Sequence, residues 1–257
     1  MAEFENGGYR LHYIDEGDAS APAVLLVHGF ASSLRVNWVD PGWTKALADA
    51  GNRAIAFDHR GHGESDKPRT GEAYTPEAMA SDVLALADHL SLPRVALFGY
   101  SMGARVSAFA GLAHPDRFPL LIFGGLGSGL VNGVGDWDPI AEALLAPSLD
   151  DVSHERGRMF RAFADRTRSD RLALAACIET SRKELTAEEV SRIRQPVLVG
   201  VGTKDDIAGS AEELARSLPA GEAFDIPGRD HMLAVGDRLF KAKVLEFLSE
   251  HRALIER

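Results

Sequence analysis

The chain has 257 residues, 45% of them hydrophobic, which suits one large domain or a domain carrying an insertion. Asp and Glu outnumber Lys and Arg by 38 to 28, and the formal charge of -10 argues against a nucleic-acid or acidic-membrane partner. No apolar run approaches the roughly 20 residues that span a bilayer, the opening MAEFENGGYR lacks a signal-peptide pattern, and a single cysteine, Cys177, precludes an internal disulfide and fits a reducing cytoplasm, the expected location.

Residues 9–14 read as a strand, with Asn6-Gly7-Gly8 as the hairpin turn before it. Residues 23–27 form a continuous apolar strand that runs out into the loop His28-Gly29-Phe30-Ala31-Ser32-Ser33. A helical pattern over 41–50 stops at Gly51, and 53–57 is a further strand, followed by the polar loop 58–65. Thr75 and Pro76 suit the cap and first turn of a helix reaching Leu90. Val95 to Phe98 is a short buried strand, and helix-permitted residues follow Gly103 until His114-Pro115. Residues 120–123 are the next apolar strand, and the glycine-rich 124–129 reads as a flexible hinge.

From 130 to 193 no strand is evident. Helical patterns over 138–145, 153–166, 169–179 and 187–193 make this an all-helical insertion. Strands return at 196–201 and 223–226, with a helix over 210–218 between them. A last helix spans 234–251, packed through Leu239, Val244, Leu245 and Leu248. Strands alternating with helices predict a mainly parallel sheet covered on both faces. Reactive groups in such sheets sit just past the carboxyl ends of strands.

Three polar side chains fall at such exits: Ser101, Asp205 and His231. Gly99-Tyr100-Ser101-Met102-Gly103 lies between strand and helix, so Ser101 occupies a sharp bend that two glycines leave uncrowded. A serine hydroxyl needs a base to become nucleophilic, imidazole suits that task, and the imidazole needs a carboxylate to hold its tautomer. Ser101 is therefore the candidate nucleophile, His231 the base and then acid, and Asp205 the orienting carboxylate, preferred over adjacent Asp206 because it closes the turn begun at Gly202. Acyl transfer also needs donors for a developing oxyanion, and the N–H groups of Met102 and Phe30 are the candidates. His28 is read as pinning its loop. Asp58 and Arg60 are read as tying their loop to the sheet edge. The spacing of His59 and His62 matches no compact metal-ligand set, and no metal or other cofactor is expected.

His28-Gly29-Phe30, the stretch from Asp58 to Ser65, the segments 99–103 and 202–205, and Gly228-Arg229-Asp230-His231 together resemble the α/β-hydrolase superfamily, in its small-cap branch of esterases, enol-lactone hydrolases and carbon–carbon bond hydrolases. The resemblance implies a mostly parallel eight-stranded sheet with one antiparallel strand at the amino-terminal edge. It implies a core of residues 1–129 and 194–257, and a helical cap of residues 130–193 inserted after the sixth strand. It matches Ser101, Asp205 and His231 to the family's triad, and Phe30 and Met102 to its oxyanion donors. Haloalkane dehalogenases and epoxide hydrolases look similar but carry aspartate where this chain has Ser101. Carbon–carbon bond hydrolases usually carry a Gly-Pro-Gly loop where this chain reads Phe30-Ala31-Ser32-Ser33.

Leu126, Leu130, Val131, Trp137, Met159, Phe160 and Phe163 are candidate pocket residues, with Arg158 and Arg161 as candidates to meet a substrate carboxylate. The expected activity is acyl-enzyme hydrolysis of a small or medium carboxylic ester or lactone, by a monomer or homodimer. The alternatives are carbon–carbon cleavage of a ring-cleavage diketone, cofactor-free peracid formation, and a non-catalytic small-molecule sensor.

Overall fold

The computed structural model describes residues 2–256. Eight strands form one sheet: β1 (Ala2–Asn6), β2 (Tyr9–Glu16), β3 (Ala23–Val27), β4 (Arg53–Phe57), β5 (Ala96–Tyr100), β6 (Leu121–Gly124), β7 (Val197–Gly202) and β8 (Gly221–Ile226). Their order across the sheet is β1-β2-β4-β3-β5-β6-β7-β8. From β4 to β8 every pairing is parallel. The reversed strand is β2, antiparallel to both neighbours, and β1 lies outside it at the edge. The antiparallel strand is thus second from the edge, because Gly7 and Gly8, both at positive φ, fold β1 back along it.

Helices α1 (Trp43–Asp49), α2 (Pro76–His89) and α3 (Met102–Ala113) follow β3, β4 and β5. Alternate side chains of the central strands feed two cores, as strand periodicity requires. Val24 and Leu26 of β3 join Trp38, Trp43, Phe98 and Phe240 on one face, while Leu25 and Val27 join Met79, Val83, Val106 and Phe109 on the other.

Between β6 and β7 come α4 (Gly129–Asn132), α5 (Asp138–Leu145), α6 (Glu155–Thr167), α7 (Arg171–Thr180) and α8 (Ala187–Ser191), with no strand among the described residues. These helices form the small helical cap of the α/β-hydrolase fold. Their segment begins and ends at one place, where the Leu185 N–H donates to the Leu130 carbonyl at 3.1 Å. Residues 124–129 are not a free hinge. Gly127 and Gly129 donate to the Ala208 carbonyl and Ser128 donates to Ser210, so the stretch is laced to the neighbouring loop.

The chain closes with α9 (Ala211–Ser217), β8 and α10 (Arg238–Glu250). The expected single helix over 234–251 is broken, because Asp237 is extended and its carboxylate accepts from the N–H of Leu239 and Phe240 as an N-cap. That cap turns Leu239 outward, half exposed, and Phe240, Val244, Phe247 and Leu248 make the buried stripe.

Candidate active site

β5 ends at Tyr100 and α3 begins at Met102, leaving Ser101 alone to make the bend, with φ 54° and ψ -116°. This left-handed backbone is costly for a residue with a side chain. The approach around it requires glycine. A Cβ on Gly103 would stand 1.9 Å from the Val27 carbonyl oxygen, and one on Gly99 would stand 2.2 Å from the Gly103 oxygen. The Ser101 N–H donates to the Gly124 carbonyl at 2.8 Å, which locks the bend to β6.

The loops after β7 and β8 bring the other two side chains to the same rim. His231 Nε2 lies 3.0 Å from Ser101 Oγ, and His231 Nδ1 lies 2.8 Å from Asp205 Oδ2. The other carboxylate oxygen of Asp205 accepts from the N–H of Ile207 and Ala208 at 2.9 and 3.0 Å. Burial pushes the Asp205 carboxyl up, but the His231 hydrogen bond and charge, with those two amides, outweigh it and hold it below its ordinary value. The carboxylate therefore stays ionised beside an imidazole that it orients. Such an arrangement can take a proton from the serine oxygen and return it to a leaving group.

Two residues that line the cavity at this serine, Phe30 and Met102, carry candidate backbone donors. Met102 is the first residue of α3, where an N–H has no acceptor inside the helix. The Phe30 N–H has no acceptor among the described residues. Its loop is held from both sides: Asn37 Oδ1 accepts from the Gly29 N–H at 2.8 Å, and His28 Nδ1 donates to the Gly29 carbonyl at 2.8 Å. The far nitrogen of His28 accepts from the His59 N–H at 3.0 Å, so His28 pins the loop rather than serving as a base.

Beneath the loop, the rings of His28, His59 and His62 pack edge to face, with centroids 4.7 Å apart for His28–His59 and 5.1 Å for His28–His62. Burial lowers the pKa of all three, that of His62 to about 3. Asp58 accepts from the N–H groups of Leu34 and Glu64 and faces His12 Nδ1 at 3.3 Å. Arg60 makes a two-bond ion pair with Asp82 of α2, which anchors the same loop.

Two cavities meet at Ser101. A narrow one of about 30 Å³ is lined by Phe30, Met102, Leu126 and Trp137 among others. A wider one of about 270 Å³ is lined by Phe30, Trp137, Phe160, Phe163 and His231 among others. Leu126, Trp137, Phe160 and Phe163 thus line the space beside the serine. Leu130 does not: it is sealed in the core, and Val131 packs against that core beside it. Met159 lies on the outer side, in a cleft of about 660 Å³ that reaches His231 from solvent. Arg158 and Arg161 are also elsewhere. Arg158 holds the carbonyls of Leu149 and Val152, and Arg161 holds those of Ala143 and Ala146 and pairs with Asp165. The arginines that do line the narrow cavity are Arg105 and Arg182. Sequence reasoning missed Arg105, although its position one helical turn after the serine was available as a signal.

A family model described as alpha/beta hydrolase fold matches residues 22–146. A putative 2-succinyl-6-hydroxy-2,4-cyclohexadiene-1-carboxylate synthase of Bacillus subtilis (strain 168) is 28% identical, across 94% of this chain and 96% of that protein. Epoxide hydrolase A of Mycobacterium tuberculosis is 37% identical, but over only 44% of this chain and 34% of its own length. The crystal structure of a hydrolase from Pseudomonas aeruginosa superposes with a TM-score of 0.80 at 24% identity, covering 96% of this chain and 97% of the other. Sheet order, cap position, the family match over residues 22–146 and these relatives agree on one architecture, and the chain has the α/β-hydrolase fold.

Proposed function

We propose that this protein is a serine hydrolase of small or medium carboxylic esters or lactones, with Ser101 as nucleophile, His231 as base and acid, and Asp205 as the orienting carboxylate. The observation that supports it most is the unbroken chain of contacts, 3.0 Å from serine oxygen to imidazole and 2.8 Å from imidazole to carboxylate. In this reading Ser101 attacks the ester carbonyl while His231 takes its proton. The oxyanion is met by the N–H groups of Phe30 and Met102. His231 protonates the departing alcohol, then activates the water that releases the acid. Serine rather than aspartate at the bend favours acyl transfer over the epoxide opening named for the partial relatives. The proposal includes a core of residues 1–129 and 194–257, a cap of residues 130–193, a cytoplasmic location and a monomer or homodimer. No helix among the described residues is long and apolar enough to cross a membrane.

The test is a panel of alkyl and p-nitrophenyl esters and lactones with wild type and Ser101→Ala. Hydrolysis should fall by about three or more orders of magnitude while the circular dichroism stays unchanged. Near-wild-type turnover in Ser101→Ala would end the proposal.

A second reading is favoured by the relative that aligns across nearly the full chain, which is named as a synthase of a cyclohexadiene carboxylate. The same His231 would then act as a base in a synthase reaction on a carboxylate-bearing ring. Formation of that product, without hydrolysis of any ester in the panel, selects it.

A further inference from the structure

The narrow cavity beside Ser101 has no Asp or Glu in its wall, but two arginines line it, in a chain of formal charge -10. Arg105 stands one turn beyond Ser101 on the same side of α3, and its N–H donates to the Ser101 carbonyl at 3.2 Å. The side chain is buried. Nη1 donates to the carbonyls of Leu130 and Lys183 and Nη2 to that of Gly129, at 3.0 to 3.3 Å. These bonds set the plane of the group and leave part of its five-donor capacity unused. Nε has no protein acceptor, yet it is not sealed from solvent as Nε of Arg117 is. Nε–H is thus a donor left over, and a guanidinium is the side chain suited to meet a carboxylate.

Among the described residues no carboxylate comes within ion-pair distance of Arg105. Burial draws its pKa down to about 10, with the charge of Glu184 opposing and that of Arg182 assisting, so it is a cation at neutral pH without an ion-pair partner. Arg182 faces the same cavity just past α7. Its Nε is tied to the Ile178 carbonyl at 2.8 Å, and its Nη2 reaches the exposed Asp138 only at 3.4 Å. Holding backbone carbonyls explains why Arg105 is ordered. It does not explain a cation without an ion-pair partner next to a second arginine in the wall of the cavity at the nucleophile.

We propose that Arg105, assisted by Arg182, binds a free carboxylate on the acyl side of the substrate, which makes the preferred substrate a half-ester of a short dicarboxylic acid. This rests on the hydrolase reading above. The cavity is small, about 30 Å³, so the acid is short. The alcohol portion takes the wider cavity toward Met232 and Leu233. One water is consumed, the ester C–O bond breaks, and dicarboxylate, alcohol and one proton leave.

The experiment compares monoethyl succinate with ethyl butyrate, esters of similar length that differ in the terminal charge. Wild type should favour the half-ester by about a hundredfold or more in kcat/KM, and Arg182→Met should cut that ratio about tenfold, with Arg182→Lys recovering part of it. Equal use of the two esters, or a ratio unmoved by Arg182→Met, overturns the proposal while leaving hydrolysis in place. Arg105 also holds backbone at both ends of the cap segment, so Arg105→Met is compared only if it folds, and Arg182→Met carries the test either way. A second measurement needs no turnover: calorimetric titration of Ser101→Ala with succinate and with butyrate. Succinate should bind at least about tenfold more tightly, and Arg182→Met on that background should weaken it; equal binding overturns the carboxylate site. Selective succinate binding by a protein that cleaves no ester would support the site and remove the hydrolase reading instead.

Discussion

The phenol of Tyr100 donates to the main-chain carbonyl of His231 at 2.6 Å. The residue before the serine therefore holds the loop that carries the imidazole, across 131 positions of sequence. Bend and imidazole loop are tied by one side chain, which is itself buried at the end of β5. Tyr100→Phe keeps the ring and deletes the tether. It should lower kcat about tenfold with little change in KM, and cost about 1–2 kcal/mol of stability for the carbonyl left without its donor. Steady-state kinetics and urea melts on the same preparation check both.

Asp205→Asn keeps the shape of the side chain but removes the charge that steadies a protonated His231 and fixes its tautomer. The expected loss in kcat is about four orders of magnitude at neutral pH, with the fold intact. A loss of tenfold or less would mean that the carboxylate does not serve this imidazole.

Gly103→Ala tests the closeness of strand and helix. Its methyl would stand 1.9 Å from the Val27 oxygen, a backbone atom in the middle of the sheet's exit edge. Relief requires moving α3 away from β3, so the variant should lose more than about 3 kcal/mol or fail to accumulate as soluble protein. Thermal melts compared with wild type give the answer.

The histidines under the Phe30 loop predict a dependence of stability on acid. His62 has a folded-state pKa near 3, against an ordinary value of 6.5, chiefly because it is buried. Between those values the unfolded chain binds a proton that the folded one refuses, so stability falls as pH drops through that window. The slope for one such group is about 1.4 kcal/mol per pH unit. His28 and His59 shift in the same direction and add to it. Urea melts at pH 5, 6 and 7 should show the midpoint falling with pH, and His62→Gln should flatten the dependence by about one proton.

Much of this architecture is legible in the residues because burial on both faces leaves uninterrupted apolar runs such as Ala23 to Val27 and Val197 to Val201. Ser101, Asp205 and His231 are legible as a set because each follows a run of that kind, and the structure brings all three to one rim. Helix ends were harder to read. The break at Asp237 depends on a cap bond that competes locally with continuing the helix. A π-helical turn at Arg35–Val39 left no periodic trace in so short a stretch. The pocket was the least legible part. Leu130 and Phe163 look alike as apolar cap residues, and only packing decides that one faces the core and the other the cavity. Arg105, Arg158 and Arg161 are likewise equivalent as letters; the carbonyls that each one meets, 15 or more positions away for Arg105 and Arg161, distinguish them.

The bond between Leu130 and Leu185 closes the neck of the excursion above the sheet. A loop whose two feet already touch places little demand on the strands beneath it when its interior is lengthened, shortened or exchanged, since closing a longer loop costs only fractions of a kcal/mol more. Grafting a foreign helical segment between those two leucines should leave the rim intact while changing which molecules arrive there. Choice of substrate and the chemistry performed on it can then diverge independently within one chain.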